Sequence, residues 1–163
     1  MVYLVPLPGL IVACALAVED VRSRRVPRLG VLAGVLIQLL ALIVYCAIGS
    51  KELWPVILAI SVGLASTLLQ TAMALAKPGS LGLGDVTATA LSGLALGVLG
   101  WRTALLWWLV MGLIGLTALA FHTRWQAGRT SRGETDRGRG LPFVAVIAAA
   151  ALLADLLSWF WAL

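Results

Sequence analysis

The fold is decided by one continuous apolar stretch, VTATALSGLALGVLGWRTALLWWLVMGLIGLTALAF, at residues 86–121. As a single helix it would be about 54 Å long, whereas the hydrocarbon core of a bilayer is about 30 Å thick. The triplet Gly100-Trp101-Arg102 interrupts this stretch with a glycine and a charge. We therefore predict two short spans that meet at this triplet, rather than one long helix.

The rest of the chain has the same apolar character. Of its 163 residues, 61% are apolar and 12% are charged, and the mean hydropathy is +1.03. Soluble domains are about 45–50% apolar and about 25% charged. The composition excludes an ordinary soluble domain and a disordered chain, and it predicts an all-α membrane protein. We expect one membrane domain over residues 1–163 with six transmembrane helices, at about 2–18, 29–48, 53–76, 86–100, 103–121 and 141–163.

The basic residues test this topology. With the N-terminus outside, in the periplasm, the predicted inner loops are 19–28, 77–85 and 122–140. These loops hold ten of the twelve Lys and Arg residues, and only Lys51 and Arg102 lie outside them. Such a bias is typical of cytoplasmic loops, so we expect a multi-pass protein of the inner (plasma) membrane. Because no basic residue precedes the first apolar run, we do not expect it to be a cleaved signal.

Two carboxylates lie at the predicted inner ends of spans. Asp20 ends the first span, and Asp85 begins the fourth, within GSLGLGDV at 79–86. Ionisable groups at the edge of hydrocarbon are costly and mark candidate functional sites. A structural interpretation is also open at this point, in which Asp20 pairs with Arg24 and Asp85 caps its helix.

Short motifs around these carboxylates favour the functional interpretation. Gly-Leu-Gly-Asp at 82–85 resembles the Gly-x-Gly-Asp motif of intramembrane aspartyl proteases. Asp20-Val21-Arg22, followed by Val26-Pro27, is similar to the first motif of type IV prepilin peptidases, and Gly140-Leu141-Pro142-Phe143 resembles a later one. The sequence departs from that family's pattern at four positions: Arg28, Thr87, Val144 and Ala145.

The resemblance implies a membrane-embedded aspartyl endopeptidase that cuts the leader from type IV prepilin-like precursors at the cytoplasmic face, for pilus assembly or protein secretion. Asp20 and Asp85 would be its catalytic residues. The chain lacks the cysteine-rich insert of the long members, which also N-methylate the product, so it resembles the short, peptidase-only form. No metal and no cofactor are implied, and the partners are the precursor and the lipid bilayer.

The proposed chemistry needs one ionised and one protonated carboxylate. Two like charges a few ångströms apart do not both ionise cheaply, so such a pair shares a proton. Asp85 at a helix N-terminus suits the base, and Asp20 at a helix C-terminus suits the acid. We expect Gly79, Gly82 and Gly84 to let an extended substrate backbone approach, and Glu19 to receive a basic leader. The alternatives are a flexible turn before the fourth helix for the glycines and an ion pair with a neighbouring arginine for Glu19.

Other patterns give weaker or competing indications. The pairs Gly30/Gly34 and Gly93/Gly97 have the small-xxx-small spacing of close helix packing. Asp155, in the last span, lies too far toward the outer side to join Asp20 and Asp85. The arginine-rich segment 122–140 is expected to be a flexible loop that touches lipid head groups, without nucleic-acid binding. Two other functions remain open: a small proton- or cation-coupled transporter subunit, and an inactive component of a pilus or secretion system.

Overall fold

A computed structural model describes residues 2–50, 52–76, 82–130 and 142–160 of the chain. These residues form six α-helices. They are α1 (Leu7–Ser23), α2 (Arg28–Val44), α3 (Trp54–Ala76), α4 (Leu83–Leu96), α5 (Trp101–Thr130) and α6 (Phe143–Phe160). Short 3-10 turns at Val2–Leu4 and Gly97–Leu99 and a π-helical segment at Tyr45–Ser50 complete the described elements.

Helix α4 lies at the centre of the bundle, because it packs against each of the other five helices. Its neighbours supply a core of leucine, alanine and tryptophan, in which Leu10, Leu91, Trp107 and Ile147 are almost fully buried. The Trp107 indole N–H donates to the Ile147 carbonyl oxygen at 3.3 Å and so joins α5 to α6. Small residues give α6 its close contacts in this core, at Ala148, Ala150, Ala151 and Ala154.

The outward faces of the helices are strongly apolar. Leu36, Leu40, Leu109 and Leu116 are each more than half exposed, which is the pattern of side chains that face lipid. Five helical segments are long and apolar enough to cross a bilayer, and Leu83–Leu99 is a shorter apolar helix. The all-α prediction is therefore confirmed, and five to six apolar helices of the described residues could span a membrane.

The predicted break between the fourth and fifth spans is confirmed. Gly100 separates Gly97–Leu99 from α5 and has φ 98° and ψ 173°, a backbone conformation open almost only to glycine. This conformation turns the chain, so that 86–121 forms two helices. Gly93 and Gly97 lie against α3, and Gly30 and Gly34 lie against residues near or on α1, as the packing interpretation of these pairs predicts.

At three places the helices extend beyond the predicted apolar spans, and one predicted loop was wrong in part. Helix α1 begins at Leu7 and continues to Ser23, so Asp20 lies in its last turn. Helix α4 begins at Leu83, which places Asp85 in its first turn. Helix α5 continues to Thr130, so the first part of segment 122–140 is helical rather than a loop. At each of these ends the helix continues past the apolar run, because backbone hydrogen bonds continue where hydrophobicity stops.

Candidate active site

A cavity of about 380 Å³ lies where the end of α1, the start of α4 and the start of α6 meet. Both predicted carboxylates line it. The complete lining is Asp20, Arg24, Val26, Gly82, Leu83, Gly84, Asp85, Pro142 and Phe143. The cavity therefore joins three parts of the chain that are far apart in sequence.

Asp20 lies in the last turn of α1 and is 9% exposed. The helix ends just beyond it at Arg24, which has a left-handed backbone with φ 55° and ψ 29°. The Arg24 N–H donates to the Asp20 carbonyl oxygen at 2.9 Å. This cap turns the chain sharply after Ser23, and so both Asp20 and the Arg24 side chain lie at the cavity.

Asp85 lies in the first turn of α4 and is half-buried. Its Oδ2 accepts a hydrogen bond from the backbone N–H of Gly82 at 2.8 Å. The negative charge of Asp20 acts on Asp85, so the two side chains are within electrostatic reach of each other. The structure thus brings the two predicted carboxylates together, and it also gives Asp85 part of the capping role that the structural interpretation assigns to it.

The two described glycines of the predicted approach path differ in their surroundings. Gly82 is exposed and extended, and a Cβ there would have no atom closer than 3.6 Å. Gly84 is tightly packed, since a Cβ there would lie 2.6 Å from Cγ2 of Val26. Gly84 is thus explained first by packing against the α1–α2 connection. Gly79, the third predicted glycine, lies outside the described residues.

Glu19 does not line this cavity. It is exposed and lines a separate groove between α1 and α2, together with Arg25, Val26 and Pro27. Its predicted role in receiving a basic leader therefore requires the substrate to extend beyond the Asp20–Asp85 cavity. Asp155 does not join the cavity either, because it lies deep in α6 and is 3% exposed.

Sequence reasoning missed several residues of the lining. Arg24 was considered only as an ion-pair partner, and Val26 only as part of a motif, although both line the cavity together with Asp85. Phe143 begins α6, Pro142 directly precedes it, and both complete the lining. Their signal was present in the motif at 140–143, but a motif alone does not say which helix ends meet.

Two carboxylates that line one cavity provide groups for acid–base chemistry on a molecule bound there. Within residues 2–50, 52–76, 82–130 and 142–160, no three His, Cys, Asp or Glu side chains are grouped as a metal site requires. Thr87, one of the departures from the family pattern, donates to the Gly84 carbonyl oxygen at 3.0 Å. Its hydroxyl therefore serves the first turn of α4.

Comparison with known proteins identifies a family for this chain, but it identifies no individual protein that resembles it. The sequence model of the type IV leader peptidase family matches residues 7–121, which is more than half of the chain and includes both Asp20 and Asp85. No curated protein and no solved structure matches the chain.

Proposed function

The chain belongs to the type IV leader peptidase family, and on that premise we propose that it is an aspartic-type endopeptidase whose catalytic residues are Asp20 and Asp85. Its apolar helices and its family make it a multi-pass membrane protein. The observation that carries the proposal is that both carboxylates line one cavity while coming from different helices.

In the proposed mechanism the two carboxylates share one proton. Partial burial and their mutual repulsion oppose two negative charges in the cavity. The Gly82 N–H and the N-terminus of α4 favour the negative charge on Asp85. Asp85 therefore acts as the base that takes a proton from the attacking water, and Asp20 as the acid that protonates the scissile carbonyl oxygen. When the tetrahedral intermediate collapses, Asp85 gives its proton to the leaving nitrogen and Asp20 takes back the proton of the oxygen. The C–N bond then breaks, and both carboxylates return to their starting states.

The substrate in this proposal is a type IV prepilin-like precursor, cut between its leader and its apolar helix. The peptide bond must reach the carboxylates in an extended form, because a helical backbone is shielded by its own hydrogen bonds. The extended and exposed Gly82 at the cavity supports this path. Arg22, Arg24, Arg25 and Arg28 cluster at this end of the bundle, which supports a cytoplasmic location for the site.

The proposal is tested by co-expression of the chain with a tagged prepilin-like precursor. Wild type should produce a band smaller by the length of the leader, and Asp20→Asn and Asp85→Asn should each lose it. Asp155→Asn is the matched control, since Asp155 is also a buried carboxylate but does not line the cavity. It should still cleave the precursor.

Membrane fractions of every variant should contain equal amounts of the chain. Normal cleavage by either single Asn variant at the candidate site would exclude the two-carboxylate mechanism. No cleavage by wild type with any precursor would instead favour a transporter subunit or an inactive assembly component.

A further inference from the structure

Three polar side chains of α3 and α4 are buried without a hydrogen-bond partner in the described part of the chain. Gln70 is 1% exposed, and Thr89 and Ser92 are each 0% exposed. In the described part of the chain, neither amide atom of Gln70 and neither of the two hydroxyls has a hydrogen-bond partner. We call Gln70, Thr89 and Ser92 the internal polar cluster.

Threonine hydroxyls elsewhere in these helices donate hydrogen bonds to backbone carbonyl oxygens of their own helix. Thr67 donates to the Gly63 carbonyl oxygen at 2.6 Å, and Thr71 donates to that of Thr67 at 2.7 Å. Thr117 donates to the Leu113 carbonyl oxygen at 3.0 Å in the same way. Thr89 and Ser92 make no such bond, so their hydroxyls retain full capacity to donate and accept.

The register of α3 against α4 places Gln70 and Thr89 at one level, with Ser92 one turn away along α4. A Cβ on Gly97 would lie 2.6 Å from the Ala59 Cα, and one on Gly93 would lie 3.3 Å from the Ser66 side chain. The two helices are thus antiparallel: as residue numbers rise along α3, the facing residue numbers fall along α4. Gln70 is four residues beyond Ser66, and Thr89 is four residues before Gly93, so both lie one turn further along the same interface.

The same periodicity connects the cluster to the candidate active site. Asp85 precedes Thr89 by four residues and Ser92 follows it by three, so the three side chains share one face of α4. Ser66 is not a member of the cluster, because its hydroxyl already accepts a hydrogen bond from the Trp108 indole N–H at 3.1 Å.

Buried polar atoms without protein partners are normally satisfied by ordered water, which needs two to four polar neighbours. An amide and two hydroxyls provide them. We propose that Gln70, Thr89 and Ser92 form an internal water-binding site, one helical turn from Asp85, whose water hydrogen-bonds onward to that carboxylate. Thr89 is then a positioning residue: it acts through bound water on Asp85. The catalytic part of this inference rests on the proposed function.

The test compares Thr89→Val, Thr89→Ser and Thr67→Val in purified protein. In a hydrated cluster, Thr89→Val leaves the other members unsatisfied, so we expect Tm to fall by about 2–4 °C. Thr89→Ser restores the hydroxyl and should restore Tm. Thr67→Val is the matched control, because the hydroxyl that it removes is already bonded within its own helix.

The pH–activity profile gives the second measurement. Loss of water at Asp85 disfavours its ionised form, so Thr89→Val should move the acid limb upward by about one pH unit, the equivalent of one hydrogen bond. The other charged groups that line the cavity, Asp20 and Arg24, are unchanged in these variants. Thr89→Ser and Thr67→Val should keep the wild-type limb.

The inference is overturned if Thr89→Val raises Tm or leaves it unchanged, since an unhydrated hydroxyl is better replaced by a methyl group. It is also overturned if wild type cleaves and the acid limb of Thr89→Val does not move. If wild type does not cleave, the proposed function fails, and Tm alone decides whether the water site exists.

Discussion

Gly84 and Val26 are in direct contact at the wall of the candidate active site: a Cβ at position 84 would lie 2.6 Å from Cγ2 and 3.1 Å from Cβ of Val26. Val26 belongs to the short connection that follows Asp20, and Gly84 immediately precedes Asp85. This contact therefore joins the two segments that carry the carboxylates.

Substitution of Gly84 should separate the carboxylates. We expect Gly84→Val to abolish precursor cleavage and to leave membrane insertion intact, because the added side chain overlaps Val26 while the helices remain apolar. Cleavage in the co-expression assay and the amount of chain in the membrane fraction measure the two effects. Full cleavage by Gly84→Val would contradict this role.

A double variant separates packing from backbone access. Gly84→Ala alone should reduce cleavage, and Val26→Ala in the same chain should restore most of it by making room for the new methyl group. If the double variant stays as inactive as Gly84→Ala, the substrate backbone itself needs the space at position 84.

At position 82, we expect the size of the substituted side chain, rather than the loss of glycine itself, to determine the effect on cleavage. Its φ of −85° and ψ of 156° suit any residue, and a Cβ there meets nothing closer than 3.6 Å. Gly82→Ala should therefore cleave like wild type, whereas Gly82→Leu should raise KM for a precursor-derived peptide by projecting into the cavity. Equal KM values for the two variants would show that the substrate does not pass position 82.

Arg24 combines a strained backbone with a charge at the cavity. Left-handed geometry costs most residues about 1–2 kcal/mol but is easier for Asn, so Arg24→Asn should fold at least as stably as wild type. Because a positive charge favours ionised carboxylates, its removal should move the acid limb of the pH–activity profile to higher pH. Cleavage rates measured from about pH 4 to about pH 8 give the shift, because this range covers the titration of carboxylates.

The neighbouring arginine provides the control for this charge effect. Arg25 lines the groove between α1 and α2, and it does not line the cavity of Asp20 and Asp85. Arg25→Asn should leave the acid limb in place. An equal shift in both variants would mean that net charge at this end of the bundle, rather than the position of Arg24, is responsible.

Gly100 should be intolerant of any side chain for a purely conformational reason. Its φ of 98° lies in a region nearly closed to other residues, although a Cβ there would have open space around it. We expect Gly100→Ala to lower stability by about 1–3 kcal/mol. Gly112→Ala is the matched control, because it also has open space but lies within α5, and it should not destabilise. Thermal unfolding in detergent compares them, and an equally stable Gly100→Ala would contradict the expectation.

Hydrophobicity and charge were sufficient to predict the number of apolar helices and the break at Gly100. They also placed Asp20 and Asp85 at the same end of the bundle, because both lie where apolar runs stop beside basic residues. They misjudged α5, whose helix continues through a polar sequence to Thr130. Lipid determines where apolar residues are needed, but it does not determine where the backbone stops being helical.

Contacts between helices were beyond the reach of sequence patterns. Nothing in the spacing of Val26 indicates that it meets Gly84, and Gln70 appears in sequence as one polar residue in an apolar run. Its burial depends on the register of α3 against α4, which is set by close contacts such as that of Gly97 with Ala59. Such contacts follow from three-dimensional packing, so they emerge only with the structure.

Gln38 provides a remote anchor for the candidate active site. It is fully buried in α2, accepts from the Gly9 N–H at 2.9 Å and donates to the Val5 carbonyl oxygen at 3.1 Å. These two backbone groups lie at the start of α1, whereas Asp20 lies near its end. A slip of α1 by one residue would translate Asp20 by about 1.5 Å and rotate it by about 100°. The Gln38 amide thus holds α1 against both sliding and rotation, and through α1 it fixes the position of Asp20, eleven residues after Gly9.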